Sequence, residues 1–119
     1  MLRIAYRITR GKLNMQEKIL RLIGLARKAG ELTYGQTAVL GEIKKKHSKL
    51  ILFASDFNEK TKQSIIKNCV SIKTVTLPYT MEELGYAIGA KPTGVLSVNH
   101  ENFKKGILEV SSFEEKEDI

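Results

Sequence analysis

The 119-residue chain has a single cysteine, Cys69, and no apolar run that approaches the length of a membrane span. One thiol cannot form an intramolecular disulfide, so a hydrophobic core has to stabilise the fold, and this length is sufficient for one. A lone thiol is typical of a reducing compartment, and the basic N-terminus lacks the apolar segment of a signal peptide. We therefore expect a cytoplasmic protein with one domain.

The motifs that bind nucleotides and metals are also missing. The sequence contains neither G-x-x-x-x-G-K-[ST] nor G-x-G-x-x-G. Two histidines, His47 and His100, and one cysteine are too few for a structural zinc site. Glu82 and Glu83 fit a helix cap, and no base is spaced to activate Cys69. We therefore expect no catalytic residue, no metal, no cofactor and no small-molecule substrate.

Acidic residues are absent from the first 14 positions, which supply +4 of the net charge of +7. A net positive charge favours an anionic partner, most often nucleic acid, although solubility alone is the alternative explanation.

The sequence divides into a basic arm at residues 1–14, a domain at residues 15–111 and an acidic tail at residues 112–119. The arm has weak periodicity and no clear caps, so it is either flexible or held against a neighbour, and Met15 is an alternative initiator.

Apolar periodicity predicts helices that alternate with short strands. Leu50–Phe53 is an unbroken apolar run, typical of a central strand buried on both faces. A capping box at Thr80 and Glu83 opens one helix, and Asn99 is placed to cap the last helix, which we expect to end near Val110. The predicted helices cover about 16–29, 35–46, 59–68, 80–88 and 101–110, and the predicted strands about 31–34, 50–55, 73–77 and 95–98. Alternation predicts a three-layer α/β/α sandwich around a small, four-stranded, largely parallel sheet.

Three segments are candidates for a binding surface. Lys44–Lys46 and Lys49 form a basic tract, for which a solvated helix end that complements the helix dipole is the simpler interpretation. The predicted helix start at Gly35–Thr37 exposes backbone N–H groups, which can receive a phosphate or the edge of an unpaired base. An ordinary capped helix start is the alternative there. The turn Lys91–Gly94 lies at one end of a predicted strand and is expected beside that helix start.

Four pieces of sequence carry a resemblance to a known family. In order they are LIGLARKAGELTYG, GQTAVLGEIKKK, SKLILFASDFNEKT and VTLPYTMEELGYAIGAKPTGVLSV, and the match covers about residues 15–110. In combination they resemble the kink-turn-binding ribosomal-protein family, and within it the small bacterial YlxQ-type members. The resemblance implies an α/β/α sandwich with a mixed sheet, which differs from the largely parallel sheet that alternation predicts. It also implies a non-catalytic RNA-binding protein associated with the ribosome or another structured RNA.

The resemblance places an RNA site at the start of the second helix and in the loop after the E-L-G helix. Members that bind RNA carry a G-x-N-E pattern at that helix start, with a lysine three residues after the glutamate, and they recognise a kink-turn. Here Thr37, Ala38 and Gly41 stand where the asparagine, glutamate and lysine are expected. The implied RNA-binding residues are Gly35, Gln36, Thr37, Ala38, Gly41, Lys91, Pro92 and Thr93.

The departures at this site keep two other hypotheses open. The side chain of Ala38 cannot hydrogen-bond. One alternative is therefore a protein-interaction module on the same fold that has lost kink-turn recognition. A third hypothesis is an enzyme or the substrate-binding domain of an enzyme, because related folds are attached to RNA methyltransferases. The sequence offers no segment able to hold a methyl donor, which disfavours the third hypothesis.

Deletion of residues 1–14 should leave the thermal midpoint of unfolding nearly unchanged, because charge of one sign without periodicity adds no core contacts. Circular dichroism during a thermal ramp measures this. A large drop in the midpoint would show that the arm is a structural element.

Overall fold

The computed structural model describes residues 14–117, with side-chain surroundings for residues 18–111. The predicted basic arm, apart from Asn14, and the last two residues of the predicted acidic tail lie outside the described residues. The helices are α1 Asn14–Lys28, α2 Gln36–Lys44, α3 Glu59–Ile66, α4 Met81–Ile88 and α5 Glu101–Glu117. The strands are β1 Leu32–Tyr34, β2 Leu50–Phe53, β3 Lys73–Thr76 and β4 Val95–Val98. Between residues 14 and 117, no helix is long and apolar enough to cross a membrane.

Local sequence explains where several of these elements begin and end. The predicted capping box is confirmed, since Thr80 Oγ1 accepts from the Glu83 N–H at 3.1 Å and Glu83 Oε1 accepts from the Thr80 N–H at 2.8 Å. Asn58 caps α3 by accepting from the Thr61 N–H at 2.9 Å. Gly89 ends α4 with a φ of 72°, a conformation that favours glycine. These short-range signals were all readable from the sequence.

The sheet is mixed, with the strand order β1-β4-β2-β3. β2 pairs in parallel with β3, whereas β4 lies between β1 and β2 and is antiparallel to both. The largely parallel sheet expected from alternation is therefore wrong for β4, and the mixed sheet implied by the resemblance is confirmed. Alternation fails here because it records the order of elements and does not fix the direction in which a strand re-enters the sheet.

The core occupies both faces of the sheet. Leu50 and Leu52 of β2 belong to the cluster formed with α1, α4 and α5, whereas Ile51 and Phe53 point to α2 and α3. All four side chains are completely buried, which confirms the predicted central strand. Helices therefore cover both faces, and the three-layer α/β/α sandwich is confirmed.

A small polar network lies within this apolar sandwich, with Ser48 and Ser97 buried and Thr33 and Asn99 half-buried. Ser97 Oγ lies 2.8 Å from Ser48 Oγ and 2.6 Å from Asn99 Oδ1. An amide oxygen can only accept, so Ser97 donates to Asn99 and accepts from Ser48. Asn99 Nδ2 in turn donates to Thr33 Oγ1 at 3.0 Å. The network joins residues that precede, occupy or follow three different strands.

Two expectations for the last helix are wrong. Asn99 does not cap α5, because its side chain belongs to the polar network, and His100 Nδ1 instead accepts from the Asn102 N–H at 3.1 Å. The helix also continues past Val110 to Glu117. The long-range partners of Asn99 compete with the local cap and are invisible in the local sequence pattern.

Ser97→Ala should lower the free energy of unfolding by about 1–3 kcal/mol, because it leaves the buried Ser48 and the half-buried Asn99 short of a partner. Urea denaturation measures this loss. Ser64→Ala, at an exposed position of α3, is the matched control and should change stability by less than about 0.5 kcal/mol. Equal stability of the Ser97 and Ser64 variants would contradict a structural role for the network.

Candidate nucleic-acid interface

The start of α2 presents an uncapped positive helix end. Gly35 has a φ of 93° and forms the N-cap without any side-chain hydrogen bond, and the first turn holds no acidic residue. The next three residues, Gln36, Thr37 and Ala38, are exposed. The first N–H groups of a helix have no intrahelical acceptor, so they face solvent here at the positive end of the dipole. Such an end can accept a phosphate or a base edge.

The loop after α4 is held by backbone hydrogen bonds to that helix. Ala90 N–H donates to the Gly85 carbonyl at 2.8 Å, and Thr93 N–H donates to the Met81 carbonyl at 3.1 Å. Lys91 and Pro92 are exposed at the tip. Thr93 is only 5% exposed, and its Oγ1 donates to the Val95 carbonyl at 3.4 Å. Thr93 therefore shapes the loop from within, and its side chain does not lie on the accessible surface.

The helix start and the loop lie at the same edge of the sheet. β1 ends where β4 begins, because Tyr34 is paired with Leu96 in the antiparallel ladder. Directly beyond that pair, the Gly35 N–H donates to the Val95 carbonyl at 3.2 Å, and Val95 immediately follows the loop. We call the surface formed by residues 35–38 and 90–93 the α2–loop surface.

Gly41, one turn into α2, is the implied site residue that lies farthest along the helix from this edge. A Cβ added at Gly41 would meet no atom within 4 Å, so neither packing nor backbone conformation requires a glycine there. The position therefore accepts the first carbon of a side chain such as the lysine that the family pattern expects. Its absence is a property of this sequence and is not forced by the fold.

Two side chains that sequence reasoning missed lie next to the α2–loop surface. The Arg27 guanidinium carbon is 4.8 Å from the centre of the Tyr34 ring, within cation–π range. Arg27 Nη1 also donates to the Ile88 carbonyl at 3.2 Å, at the end of α4. In the local sequence, Arg27 is only a basic residue in the last turn of α1. The contact with Ile88 spans 61 positions, so no local pattern indicates it.

The basic tract is separate from the α2–loop surface. Lys44–Lys46 lie at the opposite end of α2, and the Lys49 N–H donates to the Val98 carbonyl at the far end of β4. His47 is paired with Glu42 at 3.1 Å. The two candidate surfaces therefore occupy opposite ends of the sheet and cannot contact the same phosphate.

No arrangement for catalysis surrounds the titratable residues that the structure describes. The Cys69 thiol is half-buried and donates to the Ile65 carbonyl at 3.3 Å, and burial raises the pKa of this thiol. A raised pKa depletes the thiolate, which is the nucleophilic form. Between residues 14 and 117, no group of three or more His, Cys, Asp or Glu residues is placed to hold a metal ion.

These features define a small α/β/α binding domain with a mixed four-stranded sheet and a surface built from a helix start and a neighbouring loop. Residues 17–108 match the ribosomal protein L7Ae/L30e/S12e/Gadd45 family, and the chain belongs to this family. The resemblance noted from the sequence is thereby confirmed. Family membership also confirms the expectation of a non-enzymatic protein.

Individual relatives agree with this assignment. The chain is 29% identical over 91 residues to the RNA-binding protein YlxQ of Bacillus subtilis (strain 168), covering 73% of this chain and 88% of that protein. It is 34% identical over 50 residues to the RNA-binding protein YlxQ of Enterococcus faecium, covering 42% of this chain and 48% of that protein. These relatives support placement among the small bacterial YlxQ-like members of the family.

Solved structures share the fold. A protein with unknown function from Bacillus halodurans C superposes with a TM-score of 0.73 at 27% identity, covering 78% of this chain and 95% of that one. The 15.5kD RNA binding protein of Giardia lamblia superposes with a TM-score of 0.65 at 17% identity, covering 82% of this chain and 84% of that one. At such low identity the second likeness concerns the fold alone.

The glycine of the E-L-G sequence allows the loop to approach α4. A Cβ at Gly85 would lie against the Lys91 carbonyl and 2.9 Å from the Pro92 Cα, so any larger residue has to displace the loop backbone. The motif glycine thus sets the position of the exposed Lys91 and Pro92. The sequence contains the motif, but only the structure shows which backbone it accommodates.

Gly85→Ala should lower the free energy of unfolding by about 1–3 kcal/mol, because the added methyl overpacks the contact between α4 and the loop. Gly41→Ala is the matched control and should raise stability by about 0.5–1 kcal/mol, because it removes a flexible residue from a helix where the methyl has open space. Urea denaturation of both variants tests the pair. Stabilisation by Gly85→Ala would contradict the close approach.

Proposed function

We propose that the protein binds structured RNA through the α2–loop surface and prefers a kinked or irregular helix. The observation that carries the proposal is the hydrogen bond from Gly35 to Val95, which sets an uncapped positive helix end beside an exposed lysine loop. Two relatives are named as RNA-binding proteins, and the chain shares their family. No membrane, metal or cofactor enters the proposal.

The chemistry of the surface favours contacts to the RNA backbone. The N–H groups at the start of α2 are donors for phosphate or base edges, and Lys91 adds a positive charge from the loop. Backbone donors need no particular side chain, so they persist although Thr37, Ala38 and Gly41 replace the expected family residues. Recognition then depends on the shape of the RNA and its unpaired bases more than on side-chain readout.

The cellular setting follows from this preference. Kinked helices occur in large folded RNAs, so we propose that the protein acts on the ribosome or another structured RNA in the bacterial cytoplasm. Phosphate contacts release counterions, and the affinity should therefore fall as the salt concentration rises. The slope of log affinity against log salt concentration gives the approximate number of these phosphate contacts.

A protein-interaction module is the second candidate function. Ala38 is exposed at the position where the family expects glutamate, and it cannot hydrogen-bond through its side chain. A surface that lacks the glutamate carboxylate has one hydrogen-bond acceptor fewer for recognising the edge of a base. Equal affinities for a kink-turn duplex and for an unbent duplex of the same length, both no tighter than nonspecific binding, would favour this second function.

Thr37→Glu and Lys91→Glu should each weaken binding to a kink-turn duplex by about 1–3 kcal/mol, because each places a negative charge where a phosphate or base edge would lie. Fluorescence anisotropy beside an unbent duplex of equal length measures the loss. The thermal midpoint of the Thr37 variant should change little, since a helix start tolerates an acid.

The basic tract supplies the control for this experiment. Lys45→Glu changes the charge by the same amount as Lys91→Glu, but just beyond the opposite end of α2, and should affect affinity much less. If neutralising Lys44–Lys46 abolishes binding, whereas Thr37→Glu and Lys91→Glu leave it unchanged, the RNA uses the basic tract and the proposed surface is wrong.

A further inference from the structure

A groove runs between α1 and α4 beside the α2–loop surface. Its volume is about 450 Å³, which lies within the range of pockets that hold small organic ligands, roughly 300–1,000 Å³. Gly24 lies close to the facing helix, where an added Cβ would be 3.1 Å from the Ala87 carbonyl oxygen. We call this feature the α1–α4 groove.

The groove is lined by an unusually exposed aromatic side chain. Tyr86 is 89% exposed and Leu25 on the facing helix is 47% exposed. The other tyrosines with described surroundings, Tyr34 and Tyr79, are 38% and 5% exposed. A ring this exposed contributes little to packing of the hydrophobic core, and its π-face is accessible to a ligand.

The charge of the groove favours an anionic occupant. Three basic side chains, Arg21, Arg27 and Lys28, contribute to its walls, and none of the described lining residues is acidic. An aromatic face flanked by guanidinium and ammonium groups is the combination by which proteins hold single-stranded nucleic acid. The basic groups attract phosphates, and the ring stacks a base of any identity.

The groove is continuous with the α2–loop surface through one residue. Arg27 lines the groove, donates to the Ile88 carbonyl at 3.2 Å and lies 4.8 Å from the Tyr34 ring centre. Tyr34 immediately precedes Gly35 at the start of α2. A strand of RNA that contacts the helix start therefore meets Arg27 and then the groove without leaving the protein surface.

We propose that the α1–α4 groove is an RNA subsite in which Tyr86 stacks an unpaired nucleotide of the bound RNA while Arg21 and Lys28 contact the flanking phosphates. The proposal rests on the RNA-binding function proposed above and extends it to a surface outside the implied family site. A kinked helix supplies such nucleotides, because bases at a bulge are unstacked and free to turn outward. Binding involves no covalent step.

The test compares Tyr86→Ala with Tyr86→Phe and Tyr86→Leu. The probe is a kink-turn duplex with 2-aminopurine at the unpaired position, beside the fully paired duplex of equal length. Tyr86→Ala should weaken binding to the kinked RNA by about 5- to 150-fold, the range for loss of one stacked base. Tyr86→Phe keeps the ring and should stay within about threefold of the wild type, whereas Tyr86→Leu should resemble Tyr86→Ala. Quenching of 2-aminopurine fluorescence should disappear with the ring.

Val70→Ala provides a matched control for removing exposed apolar surface. Val70 is 79% exposed and lines a different pocket, beside the end of α2 and the segment before β3, so its loss should leave RNA affinity unchanged. Wild-type affinity of the Tyr86→Leu variant would overturn the stacking proposal. An equal loss of affinity for the fully paired duplex would also overturn it. Self-association of the wild-type protein in sedimentation experiments, abolished by Tyr86→Ala, would overturn it as well.

The outcomes separate the subsite from the proposed function. If Thr37→Glu weakens binding and Tyr86→Ala does not, the α2–loop surface binds RNA and the groove proposal is wrong. If the wild-type protein shows no preference for the kinked RNA and neither variant changes its affinity, both proposals are wrong. Weaker binding by both Thr37→Glu and Tyr86→Ala, with affinity close to the wild type for Tyr86→Phe, supports both.

Discussion

Burial of β2 and β4 on both faces is the constraint from which the rest of the architecture follows. Every residue of these two strands is buried, and along β2 successive side chains alternate between the two clusters of the core. Apolar surface on both faces has to be covered, at about 25 cal/mol for each Å² removed from water. The helices therefore divide between the faces, with α1, α4 and α5 on one and α2 and α3 on the other.

The proposed site is a consequence of one strand direction. Because β4 runs antiparallel to β1, the start of β4 lies beside the end of β1, and the loop that precedes β4 meets the helix that follows β1. A parallel β4 would carry the same loop to the opposite end of the sheet. Gly85 then sets how close the loop lies to α4, and Gly35 leaves the start of α2 without a side-chain cap.

Arg27 connects the structural and functional parts of this surface. Its hydrogen bond to the Ile88 carbonyl satisfies an acceptor at the end of α4, where a cation also complements the dipole. Its position over Tyr34 orders a guanidinium beside the α2–loop surface. The replacements at Thr37, Ala38 and Gly41 remove side-chain groups from one part of this surface, whereas the α1–α4 groove adds an aromatic face and basic groups next to it. The proposed RNA contacts thus shift from side chains of α2 towards backbone donors and stacking.

The sequence by itself determined the elements, since caps such as Thr80 and the apolar run Leu50–Phe53 act over a few residues. With the family resemblance it also indicated the mixed sheet and the segments of the candidate site. Tertiary structure alone decided that Thr93 is buried, that Asn99 joins a polar network instead of capping α5, and that Arg27 lies over Tyr34. Each of these outcomes depends on groups brought together from distant parts of the chain, where long-range packing and hydrogen bonds override or add to local preference.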